Sequence, residues 1–389
     1  MKPELNIDIQ PGVGLGHFQL GKYYRHIPLN TYWMSLWTSL DLLRRDSHLF
    51  PDVDVKYDPD SAITPVILHL RPHLDLLFSG QQQRLHQICL KKLRDPHPPV
   101  ELSYKGKLLS SPHDTLQRVG VSKAFGPTYP GEDLMYPGVW FSFREDGPPE
   151  QGKVSSNPED KSQEVKRVII SQKNENNESE DVLSEVRECE AMQYGLLEAI
   201  VKVHEGVDLS FYGVERPVRI KLGVTTAQDL MLDLGSPLRI HYREDDRMTI
   251  HQSNVQEDPD ISGGYFYNYF QYGIDFLISG TTHVVKKIVL HSNIPGTALF
   301  QRYQRCPWAI QGLPEDDEDD TPPRKWFYER FEDISHFLSP GETPPTMRLD
   351  RTMEEEGLTL PSPATRLLGF DGAVLEVTES ALVAAVTLF

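Results

Sequence analysis

The chain has 389 residues, of which 39% are hydrophobic, and it carries a formal net charge of −18. Two or more hydrophobic cores are expected, because single cores usually stop growing below this length. The acidic balance argues against a general nucleic-acid-binding protein, since phosphate backbones require a basic surface. It also disfavours unspecific adhesion to anionic membranes, although a local basic patch would still act there.

Cysteine usage and the two chain ends favour a cytoplasmic protein. Cys89, Cys189 and Cys306 lie about a hundred residues apart and form no CxxC pair, which is typical of a reducing compartment. The opening residues, MKPELNIDIQPG, lack the apolar core of a signal peptide. The apolar run ALVAAVTLF at the other end is too short to span a bilayer.

The first predicted module combines a helix with strands. Ser35–Arg45 places Leu36, Leu40 and Leu43 on one helical face. The strand-like runs that follow this helix are Pro65–Leu70, Leu74–Gly80 and Arg84–Leu90.

The heptad LDLLFSG at Leu74–Gly80 returns as IDFLISG at Ile274–Gly280, at an offset of 200. The flanking runs follow at the same offset, so that Pro65–Leu70 matches Tyr265–Phe270. Alternate residues of a strand face opposite sides. The three apolar residues of each heptad are therefore expected to share a buried face, with the aspartate opposite. The closing serine and glycine suit a tight connection, and the repeat as a whole predicts a duplicated module.

Three further modules repeat the order of a helix followed by strands. In the third module, Thr226 and Asp229 form a capping box, and Gly235 and Pro237 stop the helix. The predicted helices are Ser111–Pro127, Thr225–Pro237 and Arg330–Gly341. The predicted strands include Val139–Phe143, Val165–Ile170, Ala373–Val377 and Leu382–Leu388, and Leu196–Gly223 adds strands before the third module.

We therefore predict an α+β protein of tandem helix–β-hairpin units, with antiparallel sheets that are each covered by a helix. The expected segments are 1–110 (unit one), 111–170 (unit two), 171–195 (a disordered, polar linker), 196–310 (added strands and unit three), 311–325 (an acidic linker) and 326–389 (unit four). The pattern leaves open whether these units share one sheet or form separate domains.

Motifs for cofactors, metals and catalysis are weak, so no cofactor, metal or catalytic residue is expected. Gly12–Gly16 reads GVGLG but lacks the third glycine of a dinucleotide fingerprint. Asp52–Asp60 spaces its acids like a calcium loop but lacks the required glycine. No zinc-ligand pair, Walker sequence, kinase signature or hydrolase elbow is present. His283 and His291 are interpreted as polar groups at strand ends rather than a catalytic pair.

Basic doublets are the first candidate surface. They lie in or just after the last strands of modules one to three: Lys91–Lys92, Lys166–Arg167 and Lys286–Lys287. Adjacent strand residues point to opposite faces, so at most half of each doublet joins one patch. These residues are candidate contacts for a phosphoinositide or an acidic partner, and ordinary solubilising side chains are the alternative.

Tyrosines in the first strand of module three are the second candidate surface. Tyr265, Tyr267 and Tyr269 share one strand face, opposite Phe266 and Phe270. They are candidates for a partner surface. The alternative is a strand that is packed on both of its faces.

An ordered set of motifs carries a family resemblance. DLMLDLGSP, DRMTIH, YFYNYFQYGIDFLI, HVVKKIVLHSNIPG and FQRYQRC follow one another from Asp229 to Cys306, and FGPTYPG and GHFQLG precede them. With these motifs the chain resembles the phagosome assembly factor family, once called Lin-ten-like. Its proline and serine usage favours a fungal-type member.

This resemblance implies a non-enzymatic, cytoplasmic adaptor in autophagy that acts with a WD-repeat β-propeller partner at the phagophore assembly site. It implies that phosphoinositide recognition lies mainly with that partner. A phosphoinositide-binding or vesicle-trafficking factor that acts directly on membranes, between Golgi and plasma membrane, is the alternative. The family supplies no catalytic residues, and no nucleic acid is expected as a partner.

The chain departs from the family pattern at Lys22–Trp33, where KYYRHIPLNTYW interrupts the usual passage from strand to helix. Loop-closure entropy rises by only about 0.6 kcal/mol for each doubling of loop length, so a surface loop is tolerable there. The segment is interpreted as either a translated intron or a lineage-specific contact loop.

Overall fold

The computed structural model describes residues 5–20, 34–111, 113–128, 131–144, 161–172, 194–242, 263–312, 322–341, 343–349 and 364–389. The chain divides into two units. The first comprises residues 1–58 and 63–192, and the second comprises residues 59–62 and 193–389. The predicted insertion Lys22–Trp33 and most of the two predicted linkers lie outside the described residues.

The first unit contains two helices and two sheets among its described residues. The helices are α1 (Leu36–Arg45) and α2 (Arg118–Phe125). The strands are β1 (Leu5–Gln10), β2 (Gly14–Leu15), β3 (Phe18–Gln19), β4 (Val53–Lys56), β5 (Val66–Leu70), β6 (Leu74–Phe78), β7 (Leu85–Lys91), β8 (Val100–Tyr104), β9 (Lys107–Ser110), β10 (Leu134–Tyr136), β11 (Val139–Ser142) and β12 (Arg167–Ser171). The sheet orders are β3-β2-β1-β8-β9 and β10-β11-β12-β7-β6-β5-β4.

The second unit has the same plan. Its helices are α3 (Ala227–Leu234) and α4 (Phe331–Leu338). The strands are β13 (Leu196–Lys202), β14 (Gly206–Phe211), β15 (Val218–Lys221), β16 (Arg239–Tyr242), β17 (Tyr265–Tyr269), β18 (Ile274–Ile278), β19 (Val285–His291), β20 (Trp308–Gln311), β21 (Arg324–Trp326), β22 (Thr346–Leu349), β23 (Thr365–Phe370), β24 (Ala373–Val377) and β25 (Val383–Leu388). The sheet orders are β15-β14-β13-β20-β21 and β16-β17-β18-β19-β25-β24-β23-β22.

Strand pairing repeats between the two units. Each smaller sheet contains one parallel pair, β1 with β8 and β13 with β20, and the other strand pairs of the described residues are antiparallel. The register β6–β7 reappears in β18–β19 at an offset of 200, including a register shift after Leu77 and after Leu277. Later strands complete each larger sheet, and they join it through the pairs β7–β12 and β19–β25. Predicted segments 1–110 and 111–170 thus share one sheet, and 196–310 and 326–389 share another.

The offset of 200 is wrong for the strand that precedes each heptad. Leu70 pairs with Leu74, whereas Tyr269 pairs with Ile274, so the first strands correspond at an offset of 199. The reason is the turn, which has three residues (71–73) in the first unit and four (270–273) in the second.

The starts of α1 and α3 follow from their capping residues. Ser35 accepts a hydrogen bond from the Thr38 amide, and the predicted capping box of Thr226 and Asp229 is confirmed. Both cap residues also form an isolated bridge to the residue just before the last hairpin strand, Arg84 or Val284. The helix start is therefore tied to the sheet in the same way in both units.

The class is α+β only in a coarse sense, because strands predominate and the described residues contain four short helices. In the second unit one core joins both sheets to the helices. Ile274, Phe276 and Ile278 lie in this core with Leu230 and Trp308, which belong to α3 and β20. The shared face predicted for the heptad is thus confirmed, and Leu74, Leu76 and Phe78 are buried likewise in the first unit.

Cys306 in this core is expected to resist thiol reagents in the folded protein. Its side chain is fully buried, and burial raises the pKa of its thiol, whereas the thiolate is the reactive form. Mass spectrometry of the full chain after alkylation should find Cys306 modified only when urea is present. Fast modification of Cys306 under native conditions would contradict this packing.

Candidate functional site

Four of the six residues in the predicted basic doublets meet in the first unit. Lys91 ends β7, Arg167 begins β12, and the two residues pair directly in the antiparallel register. Directly opposed residues of an antiparallel pair lie on the same face. Lys92 and Lys166 are their chain neighbours, just outside the two strands, and they line the same cavity. The prediction that at most half of each doublet joins one patch is therefore wrong here, because strict alternation holds only within a strand. Strand pairing therefore gathers two doublets that are far apart in the sequence.

These residues line a cavity of about 290 Å³, which we call the basic cavity. Glu164 is its one acidic lining residue. Its basic lining residues are Lys91, Lys92, Arg94, Arg144, Lys166 and Arg167, and its remaining lining residues are Leu93, Thr115 and Val165. Such a concentration of positive charge is notable in a chain with a net charge of −18.

Sequence reasoning missed Arg94 and Arg144. Neither belongs to a doublet, and only the pairing of β7, β12 and β11 brings them together. Their side chains are 64% and 55% exposed, so both reach solvent at the mouth of the basic cavity.

Glu164 organises part of the basic cavity. It forms an ion pair with Arg94, and the Lys166 ammonium lies 3.6 Å from its Oε2 atom. The Thr115 hydroxyl donates a hydrogen bond of 3.3 Å to its Oε1 atom. One carboxylate thus holds two cations from different loops.

Two carboxylates that do not line the cavity form ion pairs with two other cations of the lining. The Lys91 ammonium lies 2.6 Å from Asp75 Oδ2, and Arg144 forms an ion pair with Glu132. The Asp75–Lys91 pair is about one-fifth exposed on both sides. Among the described residues, the six cations of the lining still outnumber the three carboxylates that pair with them.

Lys286 and Lys287 lie elsewhere. They belong to the second unit and to the beginning of β19, whereas Lys91 stands at the end of β7. The register shift after Leu277 falls at this doublet. The Lys287 ammonium lies over the Phe389 ring, 5.8 Å from its centroid. The structure therefore does not bring the third doublet to a position equivalent to that of the first.

The second unit has a nearly closed counterpart of the basic cavity. By strand register, Lys91 corresponds to His291, and Lys166 and Arg167 correspond to Ala384 and Ala385. The cavity lined by these three residues has a volume of only about 10 Å³, which is room for one water molecule. The fold itself therefore does not require cations at this place.

His291 belongs to a buried polar network. Its Nε2 atom lies 2.9 Å from Asp275 Oδ2, and its ring stacks on Tyr303 at 3.7 Å. The Tyr303 hydroxyl and the Asn268 amide donate to Asp275 at 2.6 and 2.7 Å. Because these partners satisfy a buried carboxylate, the network stabilises the fold. His283 lies at the other end of β19, 3.0 Å from the Tyr265 hydroxyl.

The three candidate tyrosines differ in their exposure. Tyr269 is fully buried and donates a hydrogen bond of 2.8 Å to Gly235 O, so it does not contribute to a surface. Tyr267 is mostly buried against Met231, and Tyr265 is half-buried. Burial and the neighbouring tyrosines raise the pKa of Tyr265 to about 12.

An apolar surface continues from these tyrosines to the edge of the larger sheet. Tyr242 on β16 contacts Tyr265 with its ring, and Ile240 pairs with Tyr267. Strand β16 is the terminal strand of this sheet in the part of the chain that the structure describes. We call this region the edge surface; its residues are Met231, Ile240, Tyr242, Tyr265 and Tyr267.

The weak motifs take structural roles. Gly12–Gly16 forms the turn into β2 and the strand itself. In Asp52–Asp60, Arg71 holds Asp54 at 3.0 Å, and Val53–Lys56 forms β4. Among the described residues, no three histidine, cysteine, aspartate or glutamate side chains converge as metal ligands.

A larger groove of about 680 Å³ in the first unit was not predicted. Tyr104 and Phe125 stack at 4.1 Å in its wall. These aromatic residues come from a β-hairpin and from the end of α2, so a local sequence pattern could not predict their contact.

Comparison with protein families decides the relationship. The model of the family described as "Phagosome assembly factor 1" matches residues 31–389. The chain belongs to the phagosome assembly factor 1 family. The match covers the second unit, the first unit from residue 31 onward and the basic cavity, and it confirms the resemblance drawn from the motifs.

Named relatives extend this family across distant organisms. A PHAF1 protein of Arabidopsis thaliana is 27% identical over 98% of this chain and 92% of its own length. A PHAF1 protein of Caenorhabditis elegans is 24% identical over 98% of this chain and 93% of its own length. A PHAF1 protein of Drosophila melanogaster is 28% identical over 42% of this chain and 40% of its own length. No solved structure matches the chain.

The family name describes an assembly factor rather than an enzyme. Among the helices that the structure describes, none has the length and apolar character of a membrane span.

Proposed function

We propose that this member of the phagosome assembly factor 1 family is a non-enzymatic adaptor in autophagy, which joins a WD-repeat β-propeller protein at the phagophore assembly site. Family membership over residues 31–389 supports a role in phagosome assembly. The observation that carries the adaptor function is the edge surface, where the strand that is terminal among the described residues adjoins exposed apolar side chains.

The edge surface has the features of a protein-binding site. Met231, Ile240 and Tyr242 are 45%, 42% and 66% exposed. Contiguous exposed apolar residues mark interaction sites, and aromatic residues supply much of the energy at interfaces. An edge strand also offers free backbone groups to a partner strand. A propeller consists of blades with such strands, so its chemistry fits this surface.

Co-purification from cells tests this function. The full chain, tagged and expressed at its native level, should recover a WD-repeat protein, as identified by mass spectrometry. An Ile240→Lys variant places a charge in the edge surface and should recover roughly tenfold less propeller or even less. The same variant should lose its recruitment to phagophore structures in microscopy.

A matched control lies at the opposite edge of the same sheet. Met347 on β22 is 60% exposed, and β22 is the other terminal strand. Met347→Lys should leave propeller recovery unchanged. Recovery without any propeller, or an equal loss in both variants, would overturn the role of the edge surface.

Direct action on phosphoinositide membranes is the second candidate function. The basic cavity favours it, because four predicted basic residues converge there with two additional arginines. Cationic clusters attract anionic lipid headgroups, each lysine or arginine adding about 1 kcal/mol near the surface.

A further inference from the structure

We propose that the basic cavity of the first unit is a binding site for one phosphomonoester group, as carried by phosphoinositide headgroups and by soluble inositol phosphates. This inference rests on the second candidate function and gives it a site and a ligand class. It is independent of the edge surface in the second unit.

The lining fits phosphate by its charge and its geometry. Six cationic side chains line the cavity, and three carboxylates of the described residues, Glu164, Asp75 and Glu132, pair with some of them. Among the described residues the cations thus outnumber these carboxylates by two to one. A phosphomonoester is close to a dianion at neutral pH and has three acceptor oxygens. Arginine presents parallel N–H donors to two such oxygens, and lysine contributes a compact charge. A singly charged carboxylate would neutralise this cluster less completely.

The size of the cavity fits a headgroup better than a folded partner. Its volume of about 290 Å³ is at the lower end of the range for small-molecule sites. Arg94 and Arg144 reach solvent at its mouth, so a phosphate on a membrane surface can approach. Lys91 and Arg167 extend from paired strands, which makes the inner wall rigid.

The duplicated unit shows that this lining is not a requirement of packing. At the equivalent place the second unit has Ala384 and Ala385 in place of Lys166 and Arg167, and its cavity is almost closed. Neighbouring like charges repel each other, and directly opposed like charges destabilise a sheet. Because the cluster is present in just one of the two units, we infer that it binds an anion.

Glu164 acts as the internal competitor for the ligand. It pairs with Arg94 and approaches Lys166, and Thr115 donates to it. A bound phosphate would take over both cations. Removing the charge of Glu164 should therefore strengthen binding, whereas removing its two cations should weaken it.

Binding by the purified full chain tests the site. The probes are vesicles containing a few mole per cent of phosphatidylinositol 3-phosphate, measured by flotation, and soluble inositol 1,3-bisphosphate, measured by calorimetry. The double variant Arg94→Gln with Lys166→Gln should bind both probes at least about tenfold more weakly. Glu164→Gln should bind them severalfold more tightly.

Lys286→Gln with Lys287→Gln is the matched control, because it removes the same charge from the second unit. This control should retain full binding. Equal losses in both double variants, weaker binding by Glu164→Gln, or no binding of either probe by the wild-type chain would overturn the site. Binding of an acidic peptide alone would also overturn it.

Binding of the soluble probe without vesicle flotation would support the site while removing direct membrane action. Circular dichroism of every variant distinguishes lost binding from lost folding. Propeller recovery in the cell experiment does not depend on either probe, so the adaptor function is tested independently of the phosphate site.

Discussion

Replacing Asp275 by alanine is expected to destabilise the second unit by about 3–5 kcal/mol, the range observed when one partner of a buried charged pair is removed. The side chains of Asp275 and His291 are only 8% and 7% exposed. The variant would leave His291, Tyr303 and Asn268 without their common acceptor. A buried polar group that loses its partner lowers the stability of the fold by more than the hydrogen bond contributed when it was formed.

Asp75 is the matched control in the first unit. It has the equivalent position on β6 and contacts His69 and Lys91 at 2.7 and 2.6 Å, but its side chain is 21% exposed. Water can replace its contacts, so Asp75→Ala should cost only about 1 kcal/mol. Hydrogen exchange with mass spectrometry measures both losses of stability, because peptides from β7 report on the first unit and peptides from β19 on the second. Equal effects in both units would refute the role assigned to burial.

Replacing Gly280 by alanine is expected to cost about 3 kcal/mol, near the upper end of typical overpacking effects. A Cβ atom at this position would lie 2.0 Å from the backbone oxygen of Gly263. At the end of the first heptad, a Cβ on Gly80 would lie 1.6 Å from Ile63 O. Backbone atoms cannot yield as a flexible side chain can, so Gly80→Ala should cause a similar loss in the first unit.

Gly263→Ala is the control for this prediction. No atom lies within 4 Å of a Cβ placed there, so stability should change by less than about 0.5 kcal/mol. Urea denaturation followed by circular dichroism measures all three variants. If Gly280→Ala behaves like Gly263→Ala, the approach of the two chain segments is not as close as the structure has it.

These close approaches explain why the heptads end alike. Ser79 and Ser279 each accept a backbone hydrogen bond from the fourth residue after them, Gln83 or His283. Both of those residues have positive φ, 52° and 56°. Serine, glycine and the left-handed residue thus form one turn twice, which accounts for the shared ending of the two heptads.

Local structure was largely predictable because its causes are local. The capping box at Thr226, the apolar face of α1 and the strand Ala373–Val377 follow from residues a few positions apart. Short strands such as β8 and β20 were not predicted. Their pairing with β1 and β13 is parallel and joins distant segments, for which local periodicity contains no information.

The candidate site was predictable in part for the same reason. The doublets containing Lys91 and Arg167 were visible as adjacent charges, but their convergence depends on the β7–β12 register. The burial of Tyr269 depends on an acceptor at Gly235, which alternation along the strand does not reveal. Long-range pairing, rather than residue type, separates the cations that meet from those that do not.

The parallel strand pairs also determine the order in which this chain becomes compact. Leu5 reaches its partner Val100 only after α1 and four strands of the larger sheet have been synthesised. The larger sheet gains β12, the partner of β7, only after a further part of the chain has been synthesised. On the ribosome β1 therefore emerges with its neighbour β2 but long before its parallel neighbour β8 exists, which leaves one edge of β1 open to chaperones and to aggregation. A nascent chain stalled before Val100 should remain protease-sensitive at β1, and one stalled well beyond Ser171 should not.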